Sequence, residues 1–424
     1  MSTEESTLFA NNLVYEAPSP SSVTTNRVLK RQQFQNRSYS SGQTMTCTFN
    51  TGVDFVDQKN SSLVLTFALT PAAGTAISCG FGEGSGCNFI QNIRIYHRSG
   101  TCYTNTQRYN LYRRTEDVFN QSQEWFNTIG SLMGYGTSGG GIFNNNGGAA
   151  NAVDAVVNYT VVIPLTKIHP FFDSEGGLFL PSAMASGLRV EIDLPTLQEC
   201  FYAPALIGFS APISYSITNI YFNTMSVSLM DSAQASINTA AQQQSLEYVY
   251  KDIFTSRNST PSNSSSINID INRSVGYADH ATTMIQVASA VTSITADSFV
   301  GTYYEGQWWY TLGSNQFPNQ KIEDKLNAYS SALITYDKFN QGAGYPTKVT
   351  PLIYSDNAGI YSVSLERDTS IALSQSPVNS SRALRFELTL TTANANPTIT
   401  TVFLTYVCSI KGENETARVA SAIP

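Results

Sequence analysis

One seven-residue pattern occurs twice in this chain, and the repetition limits the fold more than any other feature. Leu188-Arg-Val-Glu-Ile-Asp-Leu194 returns as Leu384-Arg-Phe-Glu-Leu-Thr-Leu390, at a constant offset of 384 − 188 = 196 and 390 − 194 = 196. Side chains alternate faces along an extended strand. Leu188, Val190, Ile192 and Leu194 therefore share one face, and Arg189, Glu191 and Asp193 the other. The second copy sets Leu384, Phe386, Leu388 and Leu390 against Arg385 and Glu387. Such alternation suits a strand with one side in a core and one in water. Each copy is followed, after a loop, by another alternating strand, at 215–222 and at 398–406, so each pair reads as the last two strands of a domain. A fainter echo lies upstream. Phe34 and Arg37 precede a Ser-rich turn and two strands, as Phe254 and Arg257 do 220 residues later. Seven-residue alternating strands also resemble one another by chance, but the shared placement before a terminal strand argues for duplication.

The rest of the chain fits two tandem β-sandwiches. Short strand-like segments at 63–69, 89–96 and 159–165 are separated by Gly, Pro, Asn and Ser turns. Three stretches depart from that pattern and read as helical: 104–133, with a Gly-rich loop at 134–148 behind it; 231–250, capped by Asp231 or Ser232 and filled with Ala and Gln; and 319–339. The predicted organisation is an extended N-terminal arm over 1–44, a first sandwich over 45–230, a connecting helix over 231–250, a second sandwich over 251–410 and a C-terminal tail over 411–424. The arm carries Pro18, Pro20 and a basic cluster of Arg27, Lys30, Arg31 and Arg37.

Composition narrows the function classes. Only 13% of residues are Asp, Glu, Lys or Arg, about half the usual share of roughly 25%, so Ser, Thr, Asn and Gln must build the polar surface. The 22 Phe and 23 Tyr can bury enough apolar area to exclude disorder. A formal charge of −7 disfavours a dedicated nucleic-acid binder. No apolar run approaches the ~20 residues of a membrane helix, and the first residues lack the basic end and apolar core of a signal peptide. Folding in a reducing compartment is the expectation. Six scattered cysteines without a C-x-x-C pair agree, giving neither a disulfide nor a zinc framework; whether Cys79 and Cys87 pair is left open.

Motifs that could carry chemistry are weak. Gly134-Tyr-Gly136-Thr-Ser-Gly139 spells G-x-G-x-x-G, but a dinucleotide site needs a strand before it and a helix after it. Here a helical stretch precedes and more glycine follows. His97, His169 and His280 each stand away from another His, Glu or Cys at metal-ligand spacing, and no strand–turn–helix elbow supports a Ser–His–Asp triad. Glu191 and Asp193 share a strand face at ~6–7 Å, near the carboxylate spacing of glycosidases. The second copy, however, has Thr389 in place of Asp193, and Arg189 stands ready to neutralise the pair. Trp308 and Trp309 could stack on sugars, yet neighbouring strand residues face opposite ways, so one ring belongs to the core. The expectation is no catalytic, cofactor-binding or metal-binding residue and no cofactor.

Three local patterns carry a resemblance. The first runs from Ile163-Pro-Leu165 through His169-Pro-Phe-Phe-Asp173 and Leu180-Pro181 to Gly187-Leu-Arg-Val-Glu-Ile-Asp-Leu194. The second runs from Trp309-Tyr-Thr-Leu-Gly313 through Phe317-Pro318 to Lys321-Ile322, followed by a helix-like stretch. The third is the duplicated L-R-x-E-x-x-L strand itself. In this order, over about residues 45–410, they resemble the double jelly-roll major capsid proteins of icosahedral DNA viruses, those of virophages and Polinton-like viruses above all.

The resemblance implies an all-β fold of two tandem antiparallel jelly-roll β-sandwiches with a few short inserted helices. It also implies a major capsid protein, not an enzyme, whose homotrimers form pseudo-hexagonal capsomers that tile an icosahedral shell. The partners implied are the chain itself, neighbouring capsomers, the penton and minor capsid proteins of the same virus, and an internal membrane or the genome through the N-terminal arm, with no specific nucleic-acid site. The location implied is the virion. The chain is shorter than many such proteins of eukaryotic viruses, so its tower-like loops should be small. Two other readings compete: a carbohydrate-binding or carbohydrate-cleaving tandem β-sandwich, which would present an aromatic platform or a carboxylate pair in a cleft, and a minor capsid, fibre or spike protein.

Overall fold

A computed structural model describes residues 24–77, 79–81, 86–135, 156–174, 179–203, 209–242, 247–294, 301–339, 347, 349–357, 359–366, 376–379, 382–411 and 418–420. The first half contains β1 (Thr24–Gln33), β2 (Ser38–Ser40), β3 (Thr44–Thr48), β4 (Phe55–Thr70), β5 (Ala76–Ile77), β6 (Asn92–Tyr96), β7 (Cys102–Gln107), β8 (Val157–Pro164), β9 (Arg189–Asp193), β10 (Phe209–Ser210) and β11 (Ser214–Leu229). The second contains β12 (Glu247–Thr260), β13 (Ser266–Ile271), β14 (Val275–Val287), β15 (Gly306–Leu312), β16 (Asn315–Ile322), β17 (Ile360–Ser364), β18 (Ser376–Val378), β19 (Leu384–Leu390), β20 (Thr398–Lys411) and β21 (Arg418–Ala420).

The sheets repeat. In the first half the strands join in the orders β1-β11-β4-β8 and β3-β9-β6-β7; in the second, β12-β20-β14-β17 and β13-β19-β15-β16. With eight main strands numbered within each half, both halves have sheets 1-8-3-6 and 2-7-4-5, which is the jelly roll. The duplicated strands β9 and β19 take the same seat, each paired on both sides. Val190 lies between Cys47 and Ile95, and Phe386 between Ile269 and Tyr310. Their inward residues are fully buried, and Phe386 packs its ring 5.1 Å from Tyr310 and 5.5 Å from Tyr361. Alternation in the sequence thus becomes the inner wall of each sandwich.

Three expected boundaries shift. Residues 24–33, expected in an extended arm, form β1, which pairs with β11 from Thr24 to Gln33. Its cations are tied down: Arg27 pairs with Asp57, and Lys30 with Asp54 at 2.6 Å. The basic pattern is that of an edge strand, where charge discourages stray pairing. The connecting helix spans Asp231–Gln242, and by Glu247 the chain is β12, because Tyr248, Tyr250 and Ile253 supply apolar positions that an Ala/Gln helix lacks. The helix expected over 319–339 runs from Lys325 to Thr335, capped by the Asp324 side chain accepting from Asn327 N; residues 319–322 close β16. Among the described residues no helix is long and apolar enough to cross a membrane.

Candidate functional site

The chemistry-bearing side chains gather where the two sandwiches meet. The helix Tyr109–Asn120, which follows β7, has every residue from Tyr109 to Phe119 buried. Its first amides are satisfied by the chain before it: Tyr109 N donates to Gln91 O and Asn110 N to Ile90 O, both at 2.9 Å. The helix leaves its own sandwich and lies on the outer sheet of the second. There the Tyr112 ring meets Phe403 at 5.7 Å, and the Phe119 ring stacks at 5.6 Å on Tyr336, the residue that follows the helix Lys325–Thr335.

Roofed on both sides, the helix carries charges that must be paired. Asp117 is completely buried and accepts from Arg113 (2.6 Å), Lys167 (3.0 Å) and the Tyr135 hydroxyl (3.0 Å). Burial alone would raise its pKa, but Arg113 and Lys167 hold the carboxyl below the usual carboxylate range. The neighbouring residue Glu116 accepts from Asn120 at 2.7 Å and faces His280 of β14. His280 also contacts Asp279 through Nδ1 at 3.0 Å and Thr405 through Nε2 at 3.1 Å, and Lys251 closes the chain onto Asp279 at 2.8 Å. Burial would push the imidazolium down. Asp279 and Glu116 overcome it and hold the pKa up at about 9.

A second buried cluster lies under the seam between β7 and β12. The His169 ring is fully enclosed; its Nδ1 accepts from Phe171 N at 3.0 Å, so the proton of the neutral ring sits on Nε2, 2.9 Å from the Thr106 hydroxyl. Enclosure pushes its pKa down to about 3, with Arg113 adding to the effect. Asp252 of β12 accepts from Thr104 (2.5 Å) and Tyr406 (2.8 Å), while burial raises its pKa. Tyrosines finish the seam: Tyr248 donates to Phe171 O at 2.6 Å and Tyr250 to Tyr103 O at 2.9 Å. A cleft of about 380 Å³ opens between the two strands, lined by Cys102, Thr104, Asp252, Arg273 and Tyr406 among others. None of these groups is poised as a nucleophile. Burial and the nearby Asp252 raise the Cys102 thiol, and His169 has both ring nitrogens engaged. The arrangement clamps two folded bodies together.

Residues singled out in the sequence divide accordingly. His169 and His280 belong to this junction, whereas His97 is buried apart, 2.8 Å from Ser99 Oγ. Glu191 and Asp193 are held by Arg94 of the neighbouring strand β6, at 3.1 and 2.8 Å, while Arg189 reaches Glu191 at 3.1 Å. In the second sandwich Trp309 takes the place of Arg94 opposite Glu387, and Thr389 that of Asp193. Trp308 is fully buried; Trp309 faces outward under Lys321, whose Nζ is 3.8 Å from the ring centre. Cys79 and Cys87 are buried free thiols. Gly134 and Tyr135 follow the helical stretch, and Gly136–Gly139 lie outside the described residues. Among the described residues no group of three or more His, Cys, Asp or Glu is arranged to hold a metal. Arg113, Glu116, Asp117 and Asp252 were not foreseen. Their signal is faint: Arg113 and Asp117 stand four apart, as solvent-facing helix pairs usually do.

No protein-family model matches the chain, and no curated protein matches it by sequence. Solved structures do match it in fold. The Faustovirus major capsid protein is 8% identical with a TM-score of 0.65, over 95% of this chain and 93% of that one. The PBCV-1 virus capsid is 14% identical with a TM-score of 0.61, over 96% and 100%. The mavirus major capsid protein is 11% identical with a TM-score of 0.58, over 96% and 92%. With the strand order repeated in both halves, the likeness shows this to be an all-β chain of two jelly rolls, folded as viral major capsid proteins are.

Proposed function

We propose that this chain is a major capsid protein, whose homotrimers make pseudo-hexagonal capsomers that tile an icosahedral shell. The observation that carries the reading is the same eight-strand order twice in one chain, clamped by a buried junction. Two like rolls in each of three chains give six like edges, which suit hexagonal neighbours. Full-length likeness in fold to capsid proteins supports it. In this reading the first roll runs from Thr24 to Leu229, the helix Asp231–Gln242 links the rolls, and the second runs from Glu247 to Lys411. The partners in this reading are further copies of the chain, the penton and minor capsid proteins of the same virion, and an internal membrane or the genome. The role is structural and not enzymatic: the Glu191–Asp193 pair is neutralised by Arg94, Trp308 is core and Lys321 sits over the outward Trp309, which weighs against a glycan-active reading.

Light scattering on the purified full chain, with negative-stain microscopy, tests this. Particles of three times 46.2 kDa with a hexagonal outline are expected. A monomer at all concentrations, or a sugar-dependent shift in melting temperature, would overturn it.

A further inference from the structure

The two rolls share a strand order but differ in what lies on their outer sheets. On the second roll the outward residues His280, Thr282, Met284, Phe403 and Thr405 are all buried: the helix Tyr109–Asn120 of the first roll meets His280 and Phe403, and Tyr336 and Ser362 of the second roll hold the Thr282 hydroxyl. On the first roll no described residue covers the equivalent sheet in the same way. Thr66, Ala68, Thr160, Val162, Ser216 and Thr218 alternate with the buried core residues of β4, β8 and β11, and each is exposed or half-buried. None of the six carries a charge.

The covering helix is also duplicated. It follows the fifth main strand in each roll: Tyr109–Asn120 after β7, Lys325–Thr335 after β16. The second helix buries Ala328 and Ala332, and Ser331 Oγ donates to Ser362 O of β17 at 2.7 Å. Its other side is apolar and open to solvent. Leu326 is 66% and Ile334 56% exposed, with Phe339 at 55% close behind in the chain. The first roll's helix has a following sheet to cover; the second roll's rests on β17 of its own roll and, among the described residues, has no further sheet over its other side.

We infer that the apolar side of helix Lys325–Thr335 seats on the outer sheet of the first roll of a second copy of this chain, repeating between copies the contact that Tyr109–Asn120 makes within one. The occupant follows from continuity with the junction already described: the same element meets the same sheet, one repeat further on. An uncharged Thr/Ser/Ala/Val face gives aliphatic side chains a partner without stranding an ion. The contact is heterologous, so it runs head to tail, and in the capsomer it closes into a ring. It rests on the capsomer reading for the number of copies in that ring.

The test uses the full chain and two exposed double variants. Leu326→Glu with Ile334→Glu spoils the covering side; Thr160→Glu with Ser216→Glu spoils the outer sheet of the first roll. Both should melt as the wild type does yet run as monomers by light scattering, with association weakened at least tenfold. An equimolar mixture of the two keeps one intact seam and should yield dimers, a result that an isologous contact cannot give. Trimers in either variant, or a mixture that stays monomeric where the wild type is trimeric, would overturn this surface and leave the capsomer reading standing. A monomeric wild type would overturn both.

Discussion

The imidazole of His280, on the second roll, stands 3.5 Å from the carboxylate of Glu116, on the helix of the first. This contact crosses the junction, and it is charged only while the ring is protonated. The folded pKa of about 9 exceeds the ordinary 6.5, so the stabilisation is complete below pH 6.5 and drains away as pH rises through 9. At about 1.4 kcal/mol per pH unit, the gap corresponds to roughly 3 kcal/mol. We predict that calorimetric stability falls between pH 7 and pH 10 in the wild type and more shallowly in His280→Gln. Parallel profiles would show that the ring is neutral in the folded chain.

The duplicated strands predict equal sensitivity in the two rolls. Leu188 and Leu384 are both fully buried, and an aspartate at either should cost several kcal/mol as an unpaired buried charge. Phe386→Ala should cost about 3–5 kcal/mol, since three packed rings lose their centre. Soluble yield and melting temperature are the readouts; a tolerated Asp at both leucines would dismiss the core assignment.

Gly306 separates a close approach from a merely unusual turn. A Cβ there would run into the carbonyl oxygen of Thr389, on the strand that β15 pairs with. Gly42, with φ +77°, has open space around it. Gly306→Ala should therefore lower the melting temperature far more than Gly42→Ala, whose cost is about 1 kcal/mol from backbone conformation alone. Equal losses would mean that β15 and β19 part easily.

Arg94 holds two carboxylates at a half-buried position. Arg94→Met should destabilise by about 1 kcal/mol at low salt, and the difference should shrink at roughly 1 M salt, where charges are screened within about 3 Å. A salt-independent loss would point to packing of the arginine stem.

Of the six cysteines, Cys102 is exposed and the other five are buried free thiols, with Cys47 and Cys79 pushed up to about 12 by burial. A maleimide should label one thiol per native chain and six after unfolding in denaturant. Four after unfolding would reveal a disulfide.

What could be read from the chain alone was whatever repeats or alternates. Val190 and Phe386 announce their shared seat because strand alternation is local and survives duplication. The helix after β7 was legible through its run of helix-compatible residues, although the stretch expected at 104–133 took in the end of β7, which runs to Gln107. Its surroundings were not. Arg113 and Asp117 look like an ordinary solvated pair, and only Tyr135 and Lys167, closing over Asp117 from 18 and 50 positions further on, show that they are interior. The strand β1 was missed for the opposite reason: Arg27, Lys30 and Arg31 mark an edge, and edges lack the apolar period that betrays a central strand.

The helix Tyr109–Asn120 seals one seam before any two molecules collide. In a ring of three such chains, half of the six contacts are already made when synthesis ends, so assembly loses translational freedom twice where six separate rolls would lose it five times.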